Sequence, residues 1–179
     1  LRRSGKRHFE VIVVDGGSTD RTVEIARRGG VRVVHAERGR GRQLRAGAAA
    51  AHARWLGFLH ADVRLTGRRS WRPVVPDPEG TDPRVAWYSP LRIAARGMRY
   101  RVVEAGANLR SRWLQLPYGD QGLLVHRDLY DAAGGYADVP LMEDVMLARR
   151  IARWGRLREL RVARVKVSAR RWQRDGVLR

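Results

Sequence analysis

The segment FEVIVVDGGSTD, residues 9–20, decides the fold class of this chain. Its first part, Phe9 to Val14, is a compact apolar and β-branched run, which is typical of a buried strand. Asp15 and two glycines follow at once and predict a tight loop. Thr19 or Asp20 can then cap the helix that the next apolar positions indicate. The segment therefore predicts a strand, a loop and a helix in immediate succession.

The alternation of strand and helix continues beyond this segment. Val31 to Ala36 has the pattern of a second strand, Gln43 to Arg54 that of an Ala-rich helix, and Trp55 to Leu59 that of a third strand. Strands that alternate with helices at this spacing predict a parallel sheet covered on both faces. We therefore expect an α/β fold, with a Rossmann-like and mostly parallel sheet, in one domain over residues 1–179.

The second half of the chain is less regular. Prolines between Arg68 and Arg84 indicate an exposed connection. The elements expected after it are a strand at Val85–Ile93, a long helix at Arg96–Leu116, a strand at Gly122–His126, a short helix at Arg127–Ala133, an amphipathic helix at Glu143–Trp154 and an extended segment at Leu157–Val167. The amphipathic helix offers four positions for burial, which are Val145, Leu147, Ile151 and Trp154. Trp55 and Trp113 also occupy apolar segments, and we expect both in the core.

The composition bounds the class of protein. The 179 residues include 37 Lys and Arg against 18 Asp and Glu, a net charge of +19. The cations are almost all scattered arginines, which indicates the codon bias of a GC-rich genome rather than a nucleic-acid-binding tract, although attraction to anionic lipids or nucleic acids remains an alternative. The chain has no cysteine, which excludes disulfides and fits a cytoplasmic location. Its apolar runs are far shorter than the about 20 residues of a membrane-spanning helix.

Acidic residues follow the predicted strands at their carboxyl ends, where open α/β sheets bind ligands. Asp15 follows the first strand and Asp62 follows the third. A carboxylate next to a bound diphosphate would repel it unless a divalent cation lies between them. Asp62 is therefore a candidate metal ligand, and the alternative is an ordinary turn or cap residue.

Four motifs, in this order, resemble those of the family 2 glycosyltransferases. They are the loop within residues 11–22, the short metal motif His60-Ala61-Asp62, the segment Gly134-Gly135-Tyr136, and Glu143-Asp144, which resembles the acidic pair that opens the acceptor-site helix. The resemblance covers nearly the whole chain and implies the nucleotide-diphospho-sugar transferase fold of the GT-A type. It is closest to a group of small bacterial enzymes described as radical-SAM- and selenodomain-associated, through residues 39–43, 117–122 and 168–172.

The resemblance implies metal-dependent, inverting transfer of a hexose-like sugar from a UDP- or GDP-sugar to a hydroxyl-bearing acceptor. Asp15 would accept a hydrogen bond from the base, and Asp62 would bind Mg²⁺ or Mn²⁺ beside the diphosphate. The other residues assigned to the donor are Gly16, Gly17, Ser18, Asp20, Arg42, Gln43 and Arg171.

On the acceptor side, the resemblance implies that Asp144 is the general base and that Glu143 belongs to the catalytic pair. The alternative is that both acids only complement the helix dipole. Asp120, Gln121 and Trp172 are assigned to the acceptor region. A lipid-linked acceptor, and a peripheral contact with the inner face of the membrane, are compatible with this assignment.

Three positions depart from the family pattern. His60 stands where many relatives have an acid, Arg45 where they often have Asn, and Ser168 where processive relatives have Gln. The competing hypotheses are a nucleotidyltransferase or another nucleotide-sugar enzyme, a basic nucleic-acid-binding module, and an inactive remnant. We also expect the chain to be a fragment that lacks an opening strand and a C-terminal helical segment, because no Pro-x-x-Asn-Glu-like loop precedes Phe9.

Overall fold

The structure, a computed structural model, describes residues 10–66, 80–160 and 164–168. Its helices are α1 (Thr22–Arg28), α2 (Arg40–Ala50), α3 (Met98–Leu114), α4 (Arg127–Ala132) and α5 (Glu143–Trp154). Its strands are β1 (Ile12–Asp15), β2 (Arg32–His35), β3 (Trp55–Phe58), β4 (Val63–Thr66), β5 (Val85–Tyr88), β6 (Leu91–Ile93), β7 (Leu123–His126), β8 (Arg156–Glu159) and β9 (Arg164–Val167). A 3₁₀ turn, Gly119–Gln121, precedes β7.

The described strands form three sheets, with the orders β1-β2, β3-β7-β5-β8 and β4-β9-β6. The predicted α/β class is confirmed, but two of the three described sheets are mixed, and parallel pairs do not predominate. Three of the described strand pairs are parallel and three are antiparallel. The difference arises because β7 enters between β3 and β5 and runs against both, a long-range pairing that the local alternation of elements does not reveal.

Most predicted elements are present, with different bounds. The strand expected at Val85–Ile93 is divided into β5 and β6, which belong to different sheets. Pro90 lies at the division, where it has no N–H to continue a ladder. Strand β4 was not predicted at all. The assignment of two tryptophans to the core was wrong, because Trp113 is 79% exposed and Trp154 is 61% exposed.

The main core lies between the four-stranded sheet and helices α4 and α5. Leu147 and Ile151 on α5 are fully buried, as predicted, and they belong to the same cluster as Ala86 and Val125 of the sheet. Trp55 packs edge to face on His126, with ring centroids 5.0 Å apart. The burial of Leu147 and Ile151 holds α5 against the sheet.

A second, smaller core lies under the three-stranded sheet. Leu91, Val165 and Val167 are buried in it, with Val63 and Ala107 of α3 packed against them. One face of this sheet is therefore apolar, and the residues that alternate with these point to the other face. No helix in the described ranges has the length and apolar character needed to cross a membrane.

Candidate active site

The structure brings Asp62 and Asp144 to one open cavity of about 670 Å³. The cavity lies between the turn that joins β3 to β4, the 3₁₀ turn before β7, and the N-terminus of α5. Its polar lining includes Arg40, His60, Asp62, Tyr118, Asp120 and Asp144. Acidic side chains from two turns and one helix thus line a cavity that is also lined by the cationic side chains of Arg40, Arg64 and Lys166.

Asp144 is held in place by backbone groups. The N–H of Gly119 donates a hydrogen bond to Oδ2 of Asp144 at 2.6 Å, and the N–H of Val145 donates to Oδ1 at 2.7 Å. Met142, just before the helix, has a φ of 68°, a left-handed conformation that a non-glycine residue adopts only at a cost. The strained turn and the two donors fix the direction of the carboxylate.

Gly119 lies against His60 as well as Asp144. A Cβ atom at this position would lie 2.5 Å from Nε2 of His60 and 3.3 Å from Oδ2 of Asp144. The first of these distances is a steric overlap, so the backbone of the 3₁₀ turn approaches the imidazole only because residue 119 has no side chain. Glycine here allows a histidine and a carboxylate to share one wall.

His60 is neutral at physiological pH. Burial lowers the pKa of its imidazole, and the guanidinium of Arg40 lowers it further, while the three acids of the cavity act in the opposite direction. A neutral imidazole can accept a hydrogen bond or bind a metal ion. His60, where the family resemblance implies an acid, therefore offers a neutral ligand atom instead of a negative charge.

The side chains near Asp62 suit a cation that arrives with phosphate groups. Among the described residues, no cluster of three His, Asp or Glu could hold a metal ion by itself. Mg²⁺ is commonly bound by one or two carboxylates together with substrate phosphates and water, and imidazole suits several divalent metals. One carboxylate beside a neutral imidazole fits this pattern.

The acidic pair at the start of α5 is divided between two environments. Asp144 faces the cavity, whereas Glu143 is fully buried and does not line it. Oε1 of Glu143 lies 3.5 Å from Nη1 of Arg40, and Oε2 has no hydrogen-bond partner among the described residues. Glu143, predicted as part of the catalytic pair, is thus placed where it holds Arg40 and α2 rather than where it meets a ligand.

The predicted donor loop lies at the end of β1 and forms a wall separate from the cavity. The carboxylate of Asp15 is buried and accepts hydrogen bonds from the N–H groups of Gly17 and Ser18, both at 3.1 Å. Hydrogen bonds from the Ser18 side chain, and then from these N–H groups, hold the pKa of Asp15 below its ordinary value. The loop residues Gly17, Ser18 and Asp20 are exposed.

Helix α2 joins the donor loop to the cavity through its first turn. Nε2 of Gln43 donates to the carbonyl oxygen of Val14 at 3.1 Å, and the same amide lies against Gly16. Arg40, three residues earlier, lines the cavity. Arg42 instead forms ion pairs with Glu37 and Asp138 on the surface. Asp15, Gly16 and Gln43 therefore lie together, while Asp62 and Asp144 lie at the other side of this turn.

The predicted acceptor residues have different positions. Asp120 lines the cavity, but Gln121 is buried, and its Oε1 accepts hydrogen bonds from the hydroxyl of Ser111 at 2.6 Å and the N–H of Tyr118 at 3.2 Å. Gln121 thus anchors the 3₁₀ turn. Arg171 and Trp172 lie outside the described residues.

Four lining residues with charged or aromatic side chains were not predicted from the sequence, namely Arg40, Arg64, Tyr118 and Lys166. The guanidinium of Arg110 lies 3.5 Å from the ring centroid of Tyr118 and covers that side of the ring. Arg40 and Tyr118 belong to segments that the resemblance had singled out. Arg64 lies on β4, a strand that was not predicted, and Lys166 lies in the predicted extended segment but outside every motif of the resemblance.

Comparison with known proteins gives a family and a set of similar structures. The family model described as "Glycosyl transferase family 2" matches residues 1–137. No curated protein sequence is a significant match to the chain.

Similar solved structures include enzymes with nucleotides and metals. GalNAc-T7 with UDP, GalNAc and Mn²⁺ has a TM-score of 0.64 at 15% identity, over 89% of this chain and 37% of that one. Glucosyl-3-phosphoglycerate synthase from Mycobacterium tuberculosis, with Mn²⁺, UDP and glucosyl-3-phosphoglycerate, has a TM-score of 0.59 at 22% identity, over 89% and 59%. A mycobacterial protein has a TM-score of 0.58 at 23% identity, over 89% and 54%. These likenesses show a shared fold, and the chain spans only part of each structure's length.

Proposed function

We propose that this chain, which belongs to glycosyl transferase family 2, transfers a sugar from a nucleotide diphosphate sugar to a hydroxyl-bearing acceptor, with metal dependence and inversion at the anomeric carbon. The observation that carries the proposal is the shared cavity of Asp62 and Asp144. A carboxylate for a phosphate-bound cation and a carboxylate for a proton are the two acids that such a transfer needs. UDP and Mn²⁺ in the similar structures support the donor class.

Asp62 and His60 are the residues that would hold Mg²⁺ or Mn²⁺. Bound there, the cation would supply positive charge next to the diphosphate, where negative charge develops as the glycosidic bond breaks. Arg40 lines the same cavity, and its guanidinium adds a permanent positive charge on the side of α2. The buried carboxylate of Glu143 limits the freedom of Arg40, since the two groups lie 3.5 Å apart.

Asp144 is the proposed general base. The acceptor hydroxyl oxygen bonds to the anomeric carbon, its proton passes to the Asp144 carboxylate, and the bond from that carbon to the diphosphate oxygen breaks. The leaving group departs as the nucleoside diphosphate with the electron pair of the broken bond. The N–H of Gly119 orients the base for this step, and the hydrogen bond leaves the second lone pair of Oδ2 available.

The loop from Gly16 to Asp20 is the proposed site of the nucleoside. Asp15 holds the loop through the N–H groups of Gly17 and Ser18, and Gln43 closes it from α2. A hexose as the transferred sugar, a lipid-linked acceptor and membership of the radical-SAM-associated group belong to the same proposal. They rest on the motif resemblance alone.

The test separates donor binding from transfer. We expect UDP-sugars or GDP-sugars to raise the melting temperature of the protein in the presence of Mn²⁺, because a ligand of the folded state stabilises it. Asp62→Asn should abolish the Mn²⁺-dependent part of this shift. Asp144→Asn should leave the shift intact and lower the transfer rate by about 10²–10⁴-fold, the usual contribution of a general base.

Asp131→Asn, an exposed acid on α4 outside the cavity, is the matched control and should change neither property. Equal loss of binding and transfer in both cavity variants would refute the division of roles. The absence of any nucleotide-sugar shift in the unmodified protein would refute the proposed function itself.

A further inference from the structure

Three cationic side chains stand in register across the three-stranded sheet. Arg64 of β4 is the antiparallel partner of Lys166 of β9, and Lys166 is the parallel partner of Arg92 of β6. Register partners project from the same face of a sheet, with Cβ atoms about 4.5–5.5 Å apart. We call Arg64, Lys166 and Arg92 the basic row.

The basic row is an unfavourable arrangement for the fold by itself. Like charges directly opposite each other on neighbouring strands destabilise a sheet. Among the described residues, only Arg92 in the row has an acidic partner, Glu104 at 2.9 Å. The opposite face of the sheet is the apolar one, so packing does not require cations at these positions. An anion bound on the row would offset the repulsion.

The basic row connects the active-site cavity to a second open cavity. Arg64 and Lys166 line the first cavity. Lys166 and Arg92 line the second, of about 590 Å³, together with Arg96 and Arg101. Among the residues that the structure describes, the lining of this second cavity contains four cations and no acid. The buried carboxylate of Glu104 offsets part of this charge from behind, and the described acids Asp62, Asp120 and Asp144 line the adjoining cavity, which Lys166 also lines.

Glu104 fixes two of these cations in advance. Its Oε2 accepts hydrogen bonds from Nη1 of Arg92 at 2.9 Å and Nη1 of Arg101 at 2.6 Å, and Nη2 of Arg101 also donates to the carbonyl oxygen of Ala95 at 2.7 Å. Guanidinium groups that are already oriented lose little freedom when they bind an oxyanion. Arg96 and Lys166 are exposed at the rim.

We propose that the basic row and the second cavity bind a phosphate group of the acceptor, so that the acceptor is a phosphorylated molecule, an inference that rests on the proposed function. Planar guanidinium groups and an ammonium group match phosphate oxygens. None of the residues assigned to the donor that the structure describes lines the second cavity. Arg64, in the active-site cavity, and Arg92, in the second cavity, lie on strands about 10 Å apart. A phosphate bound in the second cavity would therefore lie several bonds from the acceptor hydroxyl that reacts.

The test uses the whole chain and measures binding directly. Calorimetric titration with inorganic phosphate, against a chloride control, should show saturable binding. Arg96→Ala and Lys166→Gln should each weaken it by about tenfold, the loss of one charge-assisted hydrogen bond. Arg153→Ala, an exposed arginine on α5 outside both cavities, is the control and should bind phosphate like the unmodified protein.

Two further binding experiments distinguish a soluble phosphorylated acceptor from a lipid phosphate. Glycerol 3-phosphate is the soluble probe, and phosphatidylcholine vesicles with and without phosphatidic acid are the membrane probe. If glycerol 3-phosphate competes with inorganic phosphate and the vesicles do not bind, the acceptor is soluble. If the protein binds selectively to vesicles with phosphatidic acid, and Lys166→Gln abolishes this binding, the phosphate belongs to a lipid. Both outcomes support the site.

A second readout is thermal stability without phosphate. Lys166→Gln should raise the melting temperature by about 1–3 °C at low salt, since it removes cross-strand repulsion, and added salt should reduce the difference. Unaltered phosphate binding in both variants, or equal weakening in Arg153→Ala, would overturn the proposal. The proposal would also fail if Arg96→Ala and Lys166→Gln weakened the binding of UDP with Mn²⁺ but left phosphate binding unchanged, because the basic row would then serve the donor. Failure of UDP to bind the unmodified protein would refute the proposed function and not the phosphate site.

Discussion

At the scale of single residues, the cavity depends on the small size of residue 119. The backbone of Gly119 contacts the imidazole of His60 on one side and donates to Asp144 on the other. A side chain there must displace one of the two groups, because the space that a Cβ atom needs is occupied by Nε2 of His60. The backbone of Gly119 therefore positions the proposed base.

We predict that Gly119→Ala impairs transfer more than donor binding. Displacement of His60 or Asp144 by a few tenths of an ångström should lower kcat by about tenfold or more, because catalytic geometry tolerates little misplacement. The Michaelis constant for the donor should change less. Both constants are measured by steady-state kinetics, with Gly80→Ala as the control because a Cβ atom there meets no described residue within 4 Å. An unchanged kcat in Gly119→Ala would show that this contact does not matter.

The residue scale also shows the limit of motif reading. Glu143 and Asp144 are adjacent in the sequence, and the resemblance assigned both to catalysis. Consecutive residues of a helix point about 100° apart, so only one of them can face the cavity. The direction of the cavity relative to α5 is set by the packing of α4 and the sheet, and the motif carries no information about it.

At the scale of elements, α2 joins the donor loop to the active-site cavity. The helix packs closely on the segment that precedes α5, since a Cβ atom at Gly41 would lie 2.1 Å from the carbonyl oxygen of Ala137. That oxygen belongs to the backbone and has little freedom to move. The close approach holds the first turn of α2, with Arg40 and Gln43, against the site.

We predict opposite effects of two Gly→Ala substitutions within helices. Gly41→Ala should destabilise the protein by about 1–3 kcal/mol through overpacking. Gly106→Ala, in the exposed middle of α3 with no atom within 4 Å of the added Cβ, should stabilise it by about 0.5–1 kcal/mol, because alanine has the higher helix propensity. Urea unfolding measures both changes in the free energy of unfolding. Stabilisation in both variants would mean that α2 does not pack as described.

At the scale of the whole molecule, the excess of positive charge makes stability depend on pH. The net charge of +19 at neutral pH rises as the acids protonate, and self-repulsion rises with it. Asp15 and Asp20 have pKa values below their ordinary range, mainly through hydrogen bonds from the side chains of Ser18 and Thr22. Their stabilising contributions are present above the unfolded pKa and are lost as pH falls through the folded pKa.

We predict a separate loss of stability at mildly acidic pH, caused by His60. Burial lowers the pKa of His60 in the folded chain, so the unfolded chain, with a histidine pKa of about 6.5, binds more protons in this range. The contribution of neutral His60 to the free energy of unfolding is therefore fully present above about pH 6.5, and it decreases as pH falls toward the pKa of His60 in the folded chain. Urea unfolding at pH 7.5 and 5.5 should show this decrease, and His60→Gln should reduce it. An identical decrease in that variant would assign the effect to other groups.

The sequence by itself determined the local features of this protein. Helix α5 runs from Glu143 to Trp154, as predicted, because acids at the start, apolar positions at helical spacing and Gly155 at the end all act within a few residues. Asp62 and Asp144, which were assigned to the metal and to the general base from the sequence, share a cavity. Asp15 does not line this cavity and lies in the donor loop, on the other side of the first turn of α2.

Only the tertiary structure decided how distant segments meet. It placed β7 between β3 and β5, and it aligned Arg64, Lys166 and Arg92 in one row. Residues 64 and 166 are separated by most of the chain, and their register depends on which apolar side chains pack under the sheet. A one-residue shift of a strand would turn its cations to the opposite face. Long-range packing therefore fixes the second cavity and its charge, and no local pattern in the sequence encodes them.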